Sequence, residues 1–355
     1  MVSSITQDRS HHDWSGAIRL LRHFQKGASD NLPRLEQHDG YGVDVYQPAS
    51  EPQTTVIFMP GLSIHGHEDP RIRRLGHALQ SAGVRVLIPD VPSLRSLRIT
   101  SDQPREIKEL LISLAQDSNL VTTSALSLLS VSFSSVFVLA AASDPALHRR
   151  LGAIGLIGGY FDIETVSRFL LESPIADPYG KLIIARSYLK ETASSDAIAL
   201  GILDRAIRQS AIENTRAVPL DELFDLQISQ EDRVFRWLTE PCSCRGLHEK
   251  IMELFNSSWS GYAALGPFRK TMCPVFLLHG RQDRVIPVEQ STRLGDTLAK
   301  HSVPHLLCVS DLVAHGNTTI SMRRLFEIAR LIRGFAWFLG RAKGSVSGHI
   351  KPSLR

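Results

Sequence analysis

Short runs of apolar residues recur along this chain, and segments with helical periodicity separate most of them. Val56, Ile57 and Phe58 form one run that predicts a strand covered on both faces. After this run, Asp69 is a predicted N-cap and Pro70 the first residue of a helix. The predicted strands are Tyr41–Tyr46, Thr55–Met59, Val84–Ile88, Leu126–Val131, Ala153–Ile157, Pro274–Leu278 and His305–Ser310. Strands that alternate with helices predict an α/β fold, with a mainly parallel central sheet and helices on both faces.

The alternation stops between residues 161 and 270, where helix-like segments follow one another without a clear buried strand. The segments are Thr165–Leu171, Leu182–Leu189 and Ala197–Gln209. We interpret residues 161–270 as a helical cap, or lid, inserted above the carboxyl ends of the strands, where sites in such sheets lie. The core then comprises residues 41–160 and 271–340. A tail and helix in residues 1–40 precede it, and a basic, disordered tail in residues 341–355 follows it.

A basic amphipathic helix is predicted over Trp14–Lys26. Trp14, Ile18, Leu21 and Phe24 form its apolar face, with arginine, histidine and lysine elsewhere around it. Such a helix either packs against its own domain or lies on a membrane surface. We favour packing, because helices of this kind are common in globular proteins, and keep peripheral membrane contact as the alternative.

The segment Leu126–Ala142 has to be tested as a membrane span, because no charged residue lies between Asp117 and Asp144. About 20 mostly apolar residues are enough to cross a bilayer. However, this stretch contains several serines, has no Trp or Tyr for the membrane interface and is far from basic residues. A buried strand, a sharp turn at Ser132 and a helix opening at Phe133 fit the pattern better, so no integral span is predicted.

The composition is that of an ordinary soluble globular protein, with 43% hydrophobic and 21% charged residues. The 40 basic residues only slightly outnumber the 36 acidic ones and are spread along the chain, so no nucleic-acid-binding face is predicted. Cysteine spacing fits neither a disulfide scaffold nor a zinc site, so we expect reduced thiols. The first residues lack the apolar core of a secretory signal. These features predict a cytoplasmic protein and leave its oligomeric state open.

Three polar residues follow predicted strands in an order that indicates nucleophilic catalysis. Ser132 follows a central strand, Asp283 follows a later strand and His315 follows the last one. A serine attacks a carbonyl only if a base takes its proton, and a third group must orient that base and stabilise its charge. Each residue alone is as well explained by a turn or a loop, but their agreement with the strand order favours a triad. Asp90 and Asp311 are competing carboxylates, ranked behind Asp283.

The sequence around these residues resembles the α/β-hydrolase family. HGRQDRVIP around Asp283 is similar to the family's acid-bearing turn, and VSDLVAHGN around His315 is similar to its histidine loop. The resemblance implies that Ser132 is the nucleophile, His315 the general base and then acid, and Asp283 the orienting carboxylate. It also implies an oxyanion hole made by the backbone N–H groups of Phe133 and Leu62.

The resemblance covers roughly Thr55 to Leu339 and has one departure. The family's elbow is G-x-S-x-G, whereas this chain reads SVSFS, with Ser130 and Ser134 at the glycine positions. Glycine relieves crowding where strand and helix approach each other, so two additional Cβ atoms must be accommodated here. The missing glycines motivate a second hypothesis, in which the fold is a catalytically weak or inactive ligand-binding module.

The leading hypothesis is a serine hydrolase that cleaves a carboxylic ester, or a thioester, of a small-molecule acyl substrate through an acyl-enzyme. A serine nucleophile distinguishes it from the family's epoxide hydrolases and dehalogenases, whose elbow carries aspartate. Neither a metal nor an organic cofactor is expected. His65 and His67 are close in sequence, but we interpret them as exposed or entrance-lining residues and not as metal ligands.

Overall fold

The computed structural model describes residues 12–27, 31–191, 200–201, 203–207, 245–257, 273–312 and 325–344, and all structural statements concern these residues. Its strands are β1 (Arg34–His38), β2 (Tyr41–Tyr46), β3 (Thr55–Met59), β4 (Arg85–Pro89), β5 (Leu126–Val131), β6 (Leu151–Ile157), β7 (Val275–Gly280) and β8 (His305–Ser310). They form one sheet in the order β1-β2-β4-β3-β5-β6-β7-β8. Strands β3 to β8 run parallel to one another, whereas β2 is antiparallel to both of its neighbours. The predicted mainly parallel sheet is confirmed.

Helices follow most of the strands. Those with defined bounds are α1 (Trp14–Lys26), α2 (Pro70–Ser81), α3 (Pro92–Arg95), α4 (Gln103–Gln116), α5 (Ser135–Ala142), α6 (Pro145–His148), α7 (Ile163–Glu172), α8 (Pro178–Glu191), α9 (Arg245–Asn256), α10 (Glu289–Lys300) and α11 (Leu325–Lys343). A 3₁₀ turn at Ser132–Ser134 joins β5 to α5, and another at Gly66–Glu68 precedes α2.

The sheet separates two hydrophobic cores, because successive side chains of a strand point to opposite faces. In β3, Ile57 and Met59 belong to the core that includes residues of α4, α5 and α10. Val56 and Phe58 belong to the core that includes residues of α1, α2 and α11. The prediction of helices on both faces is therefore confirmed.

Helix α1 packs through only part of the predicted face. The prediction placed Trp14, Ile18, Leu21 and Phe24 together, and Leu21 and Phe24 do pack against the core, but Trp14 and Ile18 are 48% and 38% exposed. The buried residues are Ala17, Leu20 and Leu21. The reason is that α1 contacts two helices, α2 and α11, so its buried face is centred on Ala17 and Leu20.

Some boundaries also differ from the prediction. Strand β1 was not predicted, because it is an edge strand with a mostly exposed pattern and no apolar run. Helix α11 continues to Lys343, so the first residues of the predicted disordered tail are helical. Strand β7 extends to Gly280, beyond the predicted end at Leu278.

The apolar segment considered as a membrane span is a strand, a 3₁₀ turn and the short helix α5. Within the described residues, no helix has the length and apolar character needed to cross a bilayer. Helices α7, α8 and α9 lie in the region predicted as a cap, and its assignment as a lid stays a prediction. Cys242 and Cys244 lie outside the described residues, so the expectation of reduced thiols also stays a prediction.

Candidate active site

The turn after β5 holds Ser132 in an unusual backbone conformation. Its φ is +53°, in the left-handed region that residues other than glycine rarely adopt. The preceding residue, Val131, is still extended, whereas the 3₁₀ turn that follows leads directly into α5. A left-handed residue of this kind costs about 1–2 kcal/mol, which the surrounding packing has to offset. A serine held between a strand and a helix in this way has the geometry of a nucleophile elbow.

Ser130 and Ser134, at the positions where the elbow motif has glycine, are both fully buried. The Ser134 hydroxyl donates a hydrogen bond to the Pro60 carbonyl. The Ser130 hydroxyl donates to the Ser135 hydroxyl oxygen at 3.3 Å. Because buried hydroxyls are tolerated when they form hydrogen bonds, the two serines are accommodated. Ser134 also connects the elbow to the end of β3.

The loop after β3 lies directly against the elbow. A Cβ atom on Gly61 would lie 3.1 Å from the Val131 carbonyl oxygen and 3.2 Å from Ser132 Cβ, so a larger residue would displace this loop. Leu62, the second predicted oxyanion donor, therefore follows a residue in close contact with the elbow. Its carbonyl oxygen accepts a hydrogen bond from the Tyr179 hydroxyl of α8 at 3.5 Å.

Asp69 fixes the far end of this loop. Its carboxylate accepts a hydrogen bond from the Ser63 hydroxyl at 2.8 Å, pairs with the Arg71 guanidinium at 2.7 Å and caps α2. Burial raises the pKa of the Asp69 carboxyl, but hydrogen bonds from Arg71 and Ser63 outweigh burial and hold the pKa below its ordinary value. The carboxylate therefore stays ionised at neutral pH and holds the loop in place.

Asp283 is buried in the turn between β7 and α10. Its Oδ1 accepts hydrogen bonds from the backbone N–H groups of Val285 and Ile286 at 2.9 and 3.0 Å. The fully buried His279 lies at the end of β7, with Nδ1 2.7 Å from the Ser291 hydroxyl and Nε2 2.8 Å from the Ile286 carbonyl oxygen. A carbonyl only accepts, so Nε2 carries a proton and donates it to this bond. Hydrogen bonds therefore hold the acid-bearing turn both at Asp283 and at His279.

The loop after β3, the elbow and the acid-bearing turn follow β3, β5 and β7, which point the same way in the sheet. Their carboxyl ends therefore lie along one edge, where sites in such sheets are found. With the sheet order and the left-handed serine, this arrangement decides the architecture. The chain has the α/β-hydrolase fold. The family resemblance seen in the sequence is thereby confirmed at the level of the fold.

No protein-family model matches this hydrolase-fold chain, and no curated protein matches it in sequence. Solved structures do resemble it. Acylaminoacyl peptidase from Pyrococcus horikoshii is 12% identical, with a TM-score of 0.49 over 90% of this chain and 42% of that one. A puromycin-hydrolyzing peptidase from Mycobacterium tuberculosis is 19% identical, with a TM-score of 0.48 over 88% and 39%. A serine hydrolase homologue from Coxiella burnetii is 14% identical, with a TM-score of 0.44 over 87% and 99%.

This chain spans about two fifths of the length of the two peptidases. At these identities the similarity concerns the hydrolase fold alone. The chemistry of the site therefore has to be argued from the residues of this chain.

Asp90 and Asp311, the two alternatives to Asp283 as the acid, are each paired with an arginine. Asp311 lies 3.2 Å from the Arg281 guanidinium, and Asp90 lies 3.1 Å from the Arg95 guanidinium. Asp283 is held by backbone N–H groups within its own turn, and its Oδ2 lies 3.5 Å from Nε2 of His279. Asp283 stays the predicted acid.

His315 lies outside the described residues, so its distances to Ser132 and Asp283 stay untested. His65 is exposed, which was one of the two predictions for it, the other being a place at the site entrance. His67 is not exposed but buried, with Nδ1 3.3 Å from an Asp90 carboxylate oxygen, and its place at the site entrance stays a prediction. Across the described ranges, no group of three or more His, Cys, Asp or Glu residues is arranged to hold a metal ion.

Two residues beside the site were not predicted. His279 was predicted only as the first residue of the acid-bearing turn, although a histidine that ends an apolar run signals a buried hydrogen-bonded ring. Tyr160 follows β6, and its ring centroid lies 5.8 Å from that of Phe133. Its hydroxyl is buried without a hydrogen-bond partner among the described residues, and burial raises its pKa. Tyr160 therefore remains a protonated donor next to the elbow.

Proposed function

We propose that this protein is a serine hydrolase that cleaves a carboxylic ester, or a thioester, through an acyl-enzyme intermediate. The observation that carries the proposal is the left-handed backbone of Ser132 directly after a central parallel strand. Strain of this kind persists only where the surroundings enforce it, and it is concentrated at functional sites. A serine that only began a helix would not need it.

In the proposed reaction, the Ser132 hydroxyl attacks the acyl carbonyl while His315 takes its proton. The backbone N–H groups of Phe133 and Leu62 stabilise the negative charge that develops on the carbonyl oxygen. His315 then returns the proton to the leaving alcohol or thiol, which leaves the acyl group on Ser132. A water molecule, deprotonated by His315, then attacks the acyl group, and His315 returns that proton to the Ser132 oxygen as the acid leaves. Asp283 orients the imidazole and stabilises its charged form.

We further propose that the helices after β6 shape the acyl pocket, and two contacts support this. The Asp177 backbone N–H, just before α8, donates to the Arg284 carbonyl beside Asp283 at 2.8 Å. The Tyr179 hydroxyl of α8 donates to the Leu62 carbonyl. One helix start therefore contacts both the acid-bearing turn and the loop of the predicted oxyanion hole, so movement of α8 would alter both.

The alternative of an inactive binding module rested on the missing elbow glycines. The buried hydrogen bonds of Ser130 and Ser134 weaken that motive, because they show how an elbow without glycine is built. We therefore propose catalysis, and the same experiment separates the two hypotheses.

The test is labelling of the purified full-length protein with a fluorophosphonate, followed by mass spectrometry of the modified peptide. We expect one adduct on Ser132, no labelling of Ser132→Ala and labelling of Ser96→Ala, a matched control at an exposed serine. Labelling that persists in Ser132→Ala would reject Ser132 as the nucleophile. A folded protein that is never labelled but binds an acyl ligand stoichiometrically would establish the binding module.

A panel of p-nitrophenyl esters, thioesters and p-nitroanilides of graded acyl length would then define the scissile bond. We expect turnover of the esters or thioesters and much slower turnover of the anilides. The reverse order would make the protein a peptidase-like amidase.

A further inference from the structure

Helix α1 has two distinct sides. Ala17, Leu20 and Leu21 are buried against α2 and α11. The start of the helix is fixed as well, because the Asp13 carboxylate lies 2.6 Å from the Lys343 ammonium of α11. The helix is therefore held firmly to the hydrolase core, and its second side faces solvent.

The solvent side of α1 presents apolar residues first and cations after them. Trp14 and Ile18, one turn apart, are 48% and 38% exposed. Arg22 and Lys26 continue this row at the same spacing of four residues, and both are exposed. Residues four apart lie one above another on a helix, so these four side chains form a continuous strip, which we call the α1 outer face.

Within the described ranges, the α1 outer face has no neutralising carboxylate. The helix contains no acidic residue, and neither does α2 beside it. Among the described residues, no carboxylate forms an ion pair with Arg22 or Lys26. On the same helix, burial and the positive charges of His77 and Lys26 lower the pKa of the His23 imidazole.

We propose that the α1 outer face docks the protein on an anionic phospholipid surface. Indole rings favour the bilayer interface, and an exposed isoleucine beside one adds apolar area that can enter the headgroup boundary. Arginine and lysine at the other end of the strip reach lipid phosphates, and each cation near such a surface strengthens binding by about fivefold. The combination of an aromatic anchor and unpaired cations fits a lipid surface better than a nucleic acid, which would engage cations without a need for Trp14 and Ile18.

A second copy of the chain fits this strip less well. A two-fold dimer places the same patch on both subunits, so two faces that each carry a net positive charge would meet. The inference is also independent of the hydrolase proposal, because no residue of the α1 outer face belongs to the candidate active site.

The experiment is co-sedimentation of the full-length protein with phosphatidylcholine vesicles that contain or lack phosphatidylserine. We expect binding only to the anionic vesicles, and loss of binding at high salt because exposed charges are screened. Arg22→Gln with Lys26→Gln should weaken binding by about 30-fold, and Trp14→Gln with Ile18→Gln by at least about tenfold. Lys250→Gln with Lys300→Gln, two exposed cations on α9 and α10, is the matched control and should bind as the wild type does.

Unchanged melting temperatures of all variants would show that the substitutions leave the fold intact. Failure of the wild type to sediment with anionic vesicles would overturn the proposal, as would equal binding of the Trp14→Gln, Ile18→Gln variant. A dimer in analytical ultracentrifugation that this variant converts to a monomer would assign the face to a second copy instead.

Discussion

The elbow after β5 and the turn after β7 present their polar residues in different ways. Ser132 sits in a left-handed conformation with φ of +53°. Asp283 has no such backbone strain, and two backbone N–H groups hold its carboxylate at 2.9 and 3.0 Å. The first residue is positioned by strain that its neighbours offset, and the second by a network of hydrogen bonds.

The difference indicates how each region would fail. The elbow depends on small side chains, because Gly61 approaches Ser132 closely and Ser134 reaches the end of β3. The acid-bearing turn depends on polar partners, because the buried His279 bonds to both Ser291 and Ile286. Substitutions that change volume should damage the first region more, and substitutions that remove donors or acceptors should damage the second more.

The largest effect is expected at the acid. Asp283→Asn keeps the shape of the turn but leaves His315 without an anionic partner, so kcat for an ester should fall by about 10³–10⁴-fold. Asp311→Asn removes an exposed pair with Arg281 and should change kcat by less than about twofold. Steady-state kinetics on the purified variants measures both. A larger loss in Asp311→Asn would move the acid to Asp311.

The next effect concerns the network behind the acid. His279→Phe keeps a ring of similar size but removes its hydrogen bonds to Ser291 and Ile286, so the free energy of unfolding should fall by about 2–4 kcal/mol. Urea denaturation measures this, with the exposed His301→Gln as a control that stays within about 0.5 kcal/mol. Wild-type stability in His279→Phe would show that the turn does not need the network.

A smaller effect is expected at the junction of the elbow and β3. Ser134→Ala leaves the Pro60 carbonyl without its hydroxyl donor, which should lower the free energy of unfolding by about 1–2 kcal/mol. Ser96→Ala removes an exposed hydroxyl bond to Ser93 and should cost less than about 0.5 kcal/mol. Equal effects of the two substitutions in urea denaturation would contradict a structural role for Ser134.

The smallest effect is expected from substitutions that test the backbone strain at Ser132. Ser132→Gly should be more stable to unfolding than Ser132→Ala by about 1 kcal/mol, because glycine adopts positive φ without the steric penalty. At Ser130, within the extended strand β5, the order should reverse, with alanine more stable than glycine. Parallel urea titrations of the four variants give both comparisons. An alanine that is as stable as glycine at position 132 would argue against a strained elbow.

Much of the sheet could be predicted from the sequence, because buried parallel strands are continuous apolar runs. The predicted bounds of β3, β5 and β8 agree with the structure. The edge strand β1 could not be predicted in this way, because an edge strand of sequence RLEQH buries little and leaves no apolar run. The packed face of α1 was only partly predicted, since periodicity alone does not show that two helices meet it around Ala17 and Leu20.

In the candidate site, too, some residues could be predicted from the sequence and others could not. Ser132 and Asp283 were placed by motif and strand order, and the structure puts both in turns after parallel strands. The support around them was not predicted. His279 ends an apolar run, which signals a buried ring but not its partners, and the neighbours of Tyr160 depend on the three-dimensional fold. The oxyanion role of Phe133 and Leu62 stays a prediction, since it rests on backbone N–H groups that any residue supplies.

The convergence of Ser132, His315 and Asp283 is tested most directly by a crystal structure of the fluorophosphonate-labelled protein. We expect the His315 imidazole within about 3.2 Å of the oxygen bonded to Ser132, with its other nitrogen at hydrogen-bond distance from an Asp283 carboxylate oxygen. An imidazole that lies beyond reach of Ser132, with a different side chain in its place beside the labelled serine, would contradict the proposed mechanism.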